Sequence, residues 1–384
     1  MHVAVVGAGV FGTWTAHHLL ESGATVTLID AYGPGHSRSS SGDETRILRC
    51  GYGPDRIYSE FARRSLQQWR ELDARLRPHQ EPVWHGCGVL WMAPRDDPYF
   101  AATIETLGSG GHAVELLTRA ELQSRFPELR ADDQAAALFE PHAGMLMARR
   151  SVQALAADLQ RRGVRVLRGH ARPPDPPRNG RSAMRVVPLA DGTHVPANAF
   201  VFACGGWLGR VFPQLLGGRI RPTRQVVVYF GTPAGDDRFS APLMPAWVTR
   251  AGIYGTPDVE GRGLKVGLDE HGPAMDPDAD DRLADADSVA VARAWVARHL
   301  PALAGAPVVE SRVCQYENTD TGDFLIDRHP SFDNVWIVGG GSGHGFKHGP
   351  AVGELAARLV TTGAQTEPRF SMAARTTAAR RAVY

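Results

Sequence analysis

The first thirty residues constrain this chain more than any other stretch. MHVAVVGAGVFGTWTAHHLLESGATVTLID sets Gly7, Gly9 and Gly12 in a GxGxxG spacing directly after a short β-branched run at 3–6. Such a run suits a parallel strand buried on both faces. Residues 13–20 carry a helical pattern that Gly23 stops, and residues 25–29 form a second strand ending on Asp30. In this strand–turn–helix, Gly7 allows the tight turn, Gly9 lets the backbone approach a pyrophosphate, and Gly12 lets the helix pack on the strand. The helix N-terminus offers free N–H groups and partial positive charge to that anion. Asp30, 18 residues after Gly12, is placed to bind a ribose 2′-OH and disfavours the 2′-phosphate of NADP. The motif alone leaves NAD and FAD both open.

The chain has 384 residues, enough for two intertwined domains. A net charge of +1 gives no reason to expect nucleic acid or an anionic membrane as partner. Cys50, Cys87, Cys204 and Cys314 form no CxxC pair and no zinc spacing, so neither a metal site nor a disulfide framework is expected. The apolar run at 3–6 is too short for a signal peptide or a span, and the C-terminus is not a peroxisomal tripeptide. The expected location is the cytoplasm.

Further along, residues 32–53 read as a long functional loop with a short strand at 46–50. Helices are expected over 58–76, 117–126, 151–162, 286–300 and 350–360. Thr118 and Glu121 give the second of these a capping-box pattern. Strands are expected over 84–92, 164–167, 184–187, 200–203 and 335–338. Residues 221–229 and 246–267 read as antiparallel strands of a second domain. The tail from 361 is rich in Ala and Arg, and its order is in doubt. No internal repeat is present.

Three further stretches separate the nucleotide readings. They are Gly42-Asp43-Glu44-Thr45-Arg46-Ile47-Leu48-Arg49, the run Val313-Cys314-Gln315-Tyr316 ahead of Asp323-Phe324-Leu325-Ile326-Asp327, and Gly341-Ser342-Gly343-His344-Gly345-Phe346-Lys347. With the N-terminal glycines they closely resemble the family of monomeric sarcosine oxidase and N-methyltryptophan oxidase, FAD-dependent amine oxidases of the D-amino acid oxidase superfamily. The resemblance runs in order from about 3 to about 360. It implies an α/β fold with a Rossmann-like FAD-binding domain made of discontinuous segments (1–80, 141–215 and 311–384). A second domain with a mixed or antiparallel sheet (81–140 and 216–310) would cover the flavin.

The resemblance also implies roles. Cys314 matches the cysteine whose sulfur bonds the flavin ring. Arg49 and Lys347 match a pair that holds the substrate carboxylate, Arg with a bidentate fork and Lys with a compact charge. Tyr316 matches a tyrosine bordering the substrate and Arg46 a flavin-proximal arginine, and Thr45 and Lys347 are expected with Arg46 among the cofactor-binding residues. Gly341, Gly343, Gly345 and Phe346 belong to the turn that approaches the ring. Lys265 matches a lysine on the other flavin face, where an ammonium stabilises the superoxide formed as electrons pass to O₂. Asp269 departs from the pattern, because sarcosine oxidase has a histidine there, whereas some relatives acting on cyclic imino acids carry an acid. It would attract a cationic nitrogen, accept a proton, or pair with Lys265.

The expected reaction is therefore oxidation of the C–N bond of a carboxylated secondary amine to an imine, with O₂ reduced to H₂O₂. The expected ligands are FAD and a small amino or imino acid, and a monomer is expected ahead of an obligate oligomer. Two other readings stay open: an amine dehydrogenase passing electrons to a carrier, and a non-catalytic dinucleotide-binding module.

Overall fold

The computed structural model describes residues 1–132, 135–175, 177 and 180–376. The valine run forms the strand His2–Val6, with Val3, Ala4 and Val5 fully buried. It lies inside a six-stranded sheet ordered Leu325–Arg328, Val335–Gly339, Ala199–Phe202, His2–Val6, Thr25–Asp30, Arg165–Arg168. All neighbours are parallel except the edge hairpin of Leu325–Arg328 with Val335–Gly339. A parallel sheet must be covered on both faces, which explains the continuous apolar strands. The helix Val10–Glu21 packs on this sheet and against Gly349–Thr362. The two helices approach so closely that a Cβ on Gly353 would stand 2.5 Å from the Trp14 backbone.

An eight-stranded sheet forms the other layer. Its order is Val308–Thr319, Ile220–Phe230, Leu264–Leu268, Ile253–Thr256, Ala246–Thr249, Val89–Pro94, Ala135–Glu140, Glu115–Leu117. It is antiparallel except where Ala246–Thr249 runs parallel to Val89–Pro94. The helix Ala286–His299 covers it, with Trp295 stacked on Trp247 at 5.4 Å. A small third sheet joins Thr45–Leu48 and Trp84–His85 to Gly144–Met147.

The expected fold class is the one observed, with local corrections. The strand expected over 84–92 is two strands in different sheets, Trp84–His85 and Val89–Pro94. Gly88 breaks them apart at φ 76°, where a Cβ would meet the Phe139 ring at 2.5 Å. The loop strand is Thr45–Leu48, which leaves Arg49 and Cys50 outside it. The capping box is formed on Arg119–Arg125 as expected. Several elements were not anticipated, among them the strands Glu115–Leu117, Ala135–Glu140, Gly144–Met147, His194–Pro196 and Leu325–Arg328. Pro98–Ser109 is a helix, announced by Asp97 as N-cap and Pro98 in the first turn. Val308–Thr319 is a twelve-residue strand whose polar outer positions conceal it. In the tail, Phe370 is fully buried and Arg369 bridges Asp55 and Asp323, while 377–384 lie outside the described residues. No described helix is long and apolar enough to cross a membrane.

Candidate active site

The strand His2–Val6 delivers the chain to Gly7, which turns at φ 103°. A Cβ on Gly7 would stand 2.3 Å from the Ala203 carbonyl oxygen, and one on Gly12 would stand 1.8 Å from the Gly7 carbonyl oxygen. Both positions require glycine. Asp30 Oδ2 accepts the Ala8 N–H at 2.7 Å, and Oδ1 accepts those of Tyr32 and Gly33 at 2.9 and 2.8 Å. The acid therefore ties the glycine turn to the end of the second strand.

A cavity of about 480 Å³ opens over this turn. Gly7, Gly9 and Asp30 line it, as do Arg46, Cys314, Tyr316, Gly341, Gly343, Gly345 and Phe346. Its walls fit FAD. A glycine turn at a helix N-terminus suits the diphosphate, an acid faces the cavity for a ribose, and buried polar atoms without partners, Gln315 Nε2 and Glu317 Oε2, belong to lining residues. Gly12 and Thr45 do not line it. Thr45 turns its hydroxyl to Thr256 at 3.0 Å.

Cys314 is buried, and Arg46 Nη2 donates to its sulfur at 3.1 Å. The same guanidinium donates to the Ser40 and Thr45 carbonyls, each at 2.9 Å, and to Asp43. Arg46 thus both anchors the loop and faces the thiol. Lys265 is fully buried and lines neither this cavity nor the smaller one beside it. Its ammonium donates to Asp43 Oδ2 at 2.5 Å and to the Thr45 carbonyl at 2.9 Å. Burial would raise the Asp43 carboxyl, but Lys265 and Arg46 beside it hold it far below the carboxylate range. Burial brings the Lys265 ammonium down to about 8, against the pull of Asp43.

The smaller cavity, about 80 Å³, shares Arg46, Tyr316, Gly343 and Phe346 with the large one and adds Arg49, Tyr254, Asp269, His344 and Lys347. Arg49 sits between the rings of Tyr52 and Trp91, at 4.6 and 4.8 Å, and donates to the Gly51 carbonyl. Lys347 Nζ donates to the His344 carbonyl at 3.1 Å and lies 5.2 Å from the Tyr52 ring. Asp269 accepts the Tyr316 hydroxyl at 2.6 Å, so of the partners weighed for it Lys265 is not the one taken. Burial raises the Asp269 carboxyl, with Tyr316, Arg49 and Lys347 pulling the other way. Arg49, Lys347, Asp269 and Tyr316 are thus brought to one small chamber beside Cys314, and Lys265 lies behind its wall.

Sequence reasoning missed Tyr254, His344, Gln315, Glu317 and the role of Asp43. His344, Gln315 and Asp43 stand inside the quoted motifs and were legible there; Tyr254 carries no local signal. Structure also gathers Cys50, His112 and Glu140, with ligand atoms within 4.8 Å of one another. Both Glu140 oxygens accept backbone N–H groups, from Cys50 at 2.7 Å and Gly51 at 2.9 Å. The positive charges of Arg63, Lys347 and Arg49 act on Cys50. The Glu140 carboxylate acts on it in the opposite sense, and through its two backbone contacts the acid braces the loop carrying Arg49.

A dinucleotide cavity joined to a small cationic chamber defines a flavin-dependent oxidoreductase. The family of FAD dependent oxidoreductases called DAO matches residues 2–359, and the chain belongs to that family. It is 32% identical to a monomeric sarcosine oxidase of Bacillus sp. (strain B-0618), over 96% of this chain and 94% of that one. It is 27% identical to an N-methyl-L-tryptophan oxidase of Salmonella heidelberg (strain SL476), over 92% of each. The fold is also that of an L-proline dehydrogenase from P. horikoshii, with a TM-score of 0.82 at 22% identity over 96% of each chain.

Proposed function

We propose that this protein oxidises the C–N bond of a carboxylated secondary amine, an N-methyl or cyclic amino acid, to an imine. The amine gives up two electrons and two protons, and O₂ takes both to become H₂O₂. FAD, when bound, supplies the acceptor for the hydride equivalent and the route of the electrons to O₂. In this reading the flavin is held covalently by Cys314.

The observation that carries the reading is the small chamber, where two cations, Arg49 and Lys347, meet one buried acid, Asp269. Two cations suit one substrate carboxylate. Arg49 is held by stacked aromatic rings and by the Gly51 carbonyl, so its orientation is set before substrate arrives. Asp269 with Tyr316 is placed to attract the substrate nitrogen and take a proton from it. Lys265 and Arg46 share the single carboxylate of Asp43, which leaves net positive charge near Cys314 to favour superoxide.

The same proposal divides the chain into an FAD-binding domain (1–80, 141–215, 311–384) and a substrate domain (81–140, 216–310). The six-stranded sheet is built wholly from the first set, and Val308–Thr319 straddles the boundary at 311. The proposed working form is a cytoplasmic monomer. The test is a panel of N-methyl and cyclic amino acids assayed for peroxide and for oxygen uptake. Oxidation of such acids with peroxide formed supports the reading. Turnover only with an added electron carrier would replace it with a dehydrogenase.

A further inference from the structure

The strand Val308–Thr319 alternates across the cavity wall. Cys314 meets Arg46 and Tyr316 meets Asp269, whereas Gln315 and Glu317, each following one of them in sequence, take the other face of the strand. Gln315 is fully buried. Its Oε1 accepts Arg282 Nη2 at 3.1 Å, and its Nε2 has no partner. Glu317 is buried too. Its Oε1 accepts the Gly341 N–H at 3.0 Å, and its Oε2 has no partner. Both residues line the large cavity. A buried polar atom left unpaired is costly, and in a cavity wall it points to a ligand that completes it.

The position of the pair narrows the ligand to one part of the cofactor. The diphosphate turn at Gly7 abuts Ala203. Two residues on, Gly205 and Gly206 face this pair: a Cβ on Gly205 would lie 3.6 Å from Glu317 Oε2, and one on Gly206 would lie 3.0 Å from Gln315 Nε2. Cys314 stands next to Gln315 on the same strand. The pair thus stands between the glycine turn and the thiol. An amide N–H donor beside a carboxyl oxygen reads a group that both accepts and donates. A diphosphate only accepts, whereas a hydroxyl does both. We infer that Gln315 and Glu317 form a polyol-binding subsite that hydrogen-bonds the ribityl hydroxyls of FAD. Burial lifts the Glu317 carboxyl to about 7, so the acid can sit near the cofactor's diphosphate without a full negative charge. The inference rests on the proposed placement of the ring at Cys314.

The test uses the full-length chain with Cys314→Ser, stripped of flavin, and follows binding of FAD and of its 2′-, 3′- and 4′-deoxyribityl analogues by flavin fluorescence. At least one analogue should bind about tenfold or more weakly than FAD. Adding Glu317→Leu or Gln315→Leu should weaken FAD by a similar factor and abolish the difference between FAD and that analogue. Glu317→Gln should retain most of the discrimination. Equal binding of FAD and all three analogues by the parent overturns the inference, whether or not the leucine variants fold. Discrimination that survives both leucine substitutions overturns it as well. Failure of the underlying ring placement shows separately, as flavin that washes out of the chain with Cys314 intact.

Discussion

The guanidinium Nη2 of Arg46 lies 3.1 Å from the sulfur of Cys314, although 268 positions separate the two residues in the chain. The thiol proposed to carry the flavin thus has a fixed guanidinium donor as its neighbour. We expect the flavin colour to stay with acid-precipitated polypeptide and to be released entirely from Cys314→Ser. Arg46→Met, which removes that charge-assisted contact, should slow attachment about tenfold or more. Arg46→Lys, which keeps the charge, should retain part of it. A colourless pellet from the unaltered chain refutes the linkage.

Lys265 is expected to serve the oxygen half-reaction. Stopped-flow traces of Lys265→Met should show reoxidation slowed on the order of 10²-fold, with reduction by substrate little changed. With its ammonium brought down to about 8, the residue is cationic below that pH and neutral above it. Reoxidation of the unaltered protein should therefore fall as pH rises through about 8, and the Met variant should lack that fall. Equal slowing of both half-reactions would assign Lys265 to the integrity of the Asp43 cluster instead.

Arg49 and Lys347 should act on KM for acids. Each charge-assisted contact is worth roughly 1.5–3 kcal/mol, so Arg49→Met or Lys347→Met should raise KM about 10- to 100-fold. Amines lacking the carboxylate should be poor substrates of the unaltered protein and little affected by either change. A uniform loss on charged and uncharged amines alike would count against carboxylate binding.

Asp269 is expected to choose among secondary amines. An acid paired with Tyr316 favours a nitrogen that arrives protonated, or an imino acid ring that must lose a second proton. Proline or pipecolate relatives should then outperform sarcosine, and Asp269→Asn should lower kcat/KM for the preferred ring. Sarcosine as best substrate, with an Asn variant of unchanged kcat/KM, would make this pair a structural one.

The brace behind Arg49 gives a stability test. Glu140 is buried and accepts the N–H groups of Cys50 and Gly51. Glu140→Ala leaves both donors unpaired, at about 1–3 kcal/mol each. Chemical denaturation should report a loss of about 2–6 kcal/mol, with KM for acids rising because the Gly51 carbonyl holds Arg49. Unchanged stability would mean that water reaches the loop.

The glycine turn was legible because its requirements are local: Gly7, Gly12 and Asp30 are fixed by one strand, one turn and one helix. Cys314, Arg49 and Lys347 were legible only through whole motifs, since nothing beside Cys314 in sequence identifies its neighbour Arg46. The partnership of Lys265 with Asp43 spans 222 positions and depends on Leu264–Leu268 pairing with Ile220–Phe230 behind the loop. Asp269 was singled out as unusual, but its choice of Tyr316 over Lys265 follows from sheet order, which spacing does not encode. Glu317 escaped notice because a single acid in a polar strand looks solvated until the strand is buried.

The cavity over the glycine turn takes one wall from Gly7 and Phe11 and another from Gly341 to Phe346, and a Cβ on Gly345 would lie 2.9 Å from the Phe11 ring. A ribosome makes these walls tens of seconds apart at ordinary elongation rates. Until the later wall emerges, the strand Ala199–Phe202 lacks its neighbour Val335–Gly339 and the turn has no lid. Cofactor capture is thereby tied to synthesis of the later wall, and a polypeptide released before Gly341 would carry the dinucleotide signature without a chamber in which to use it.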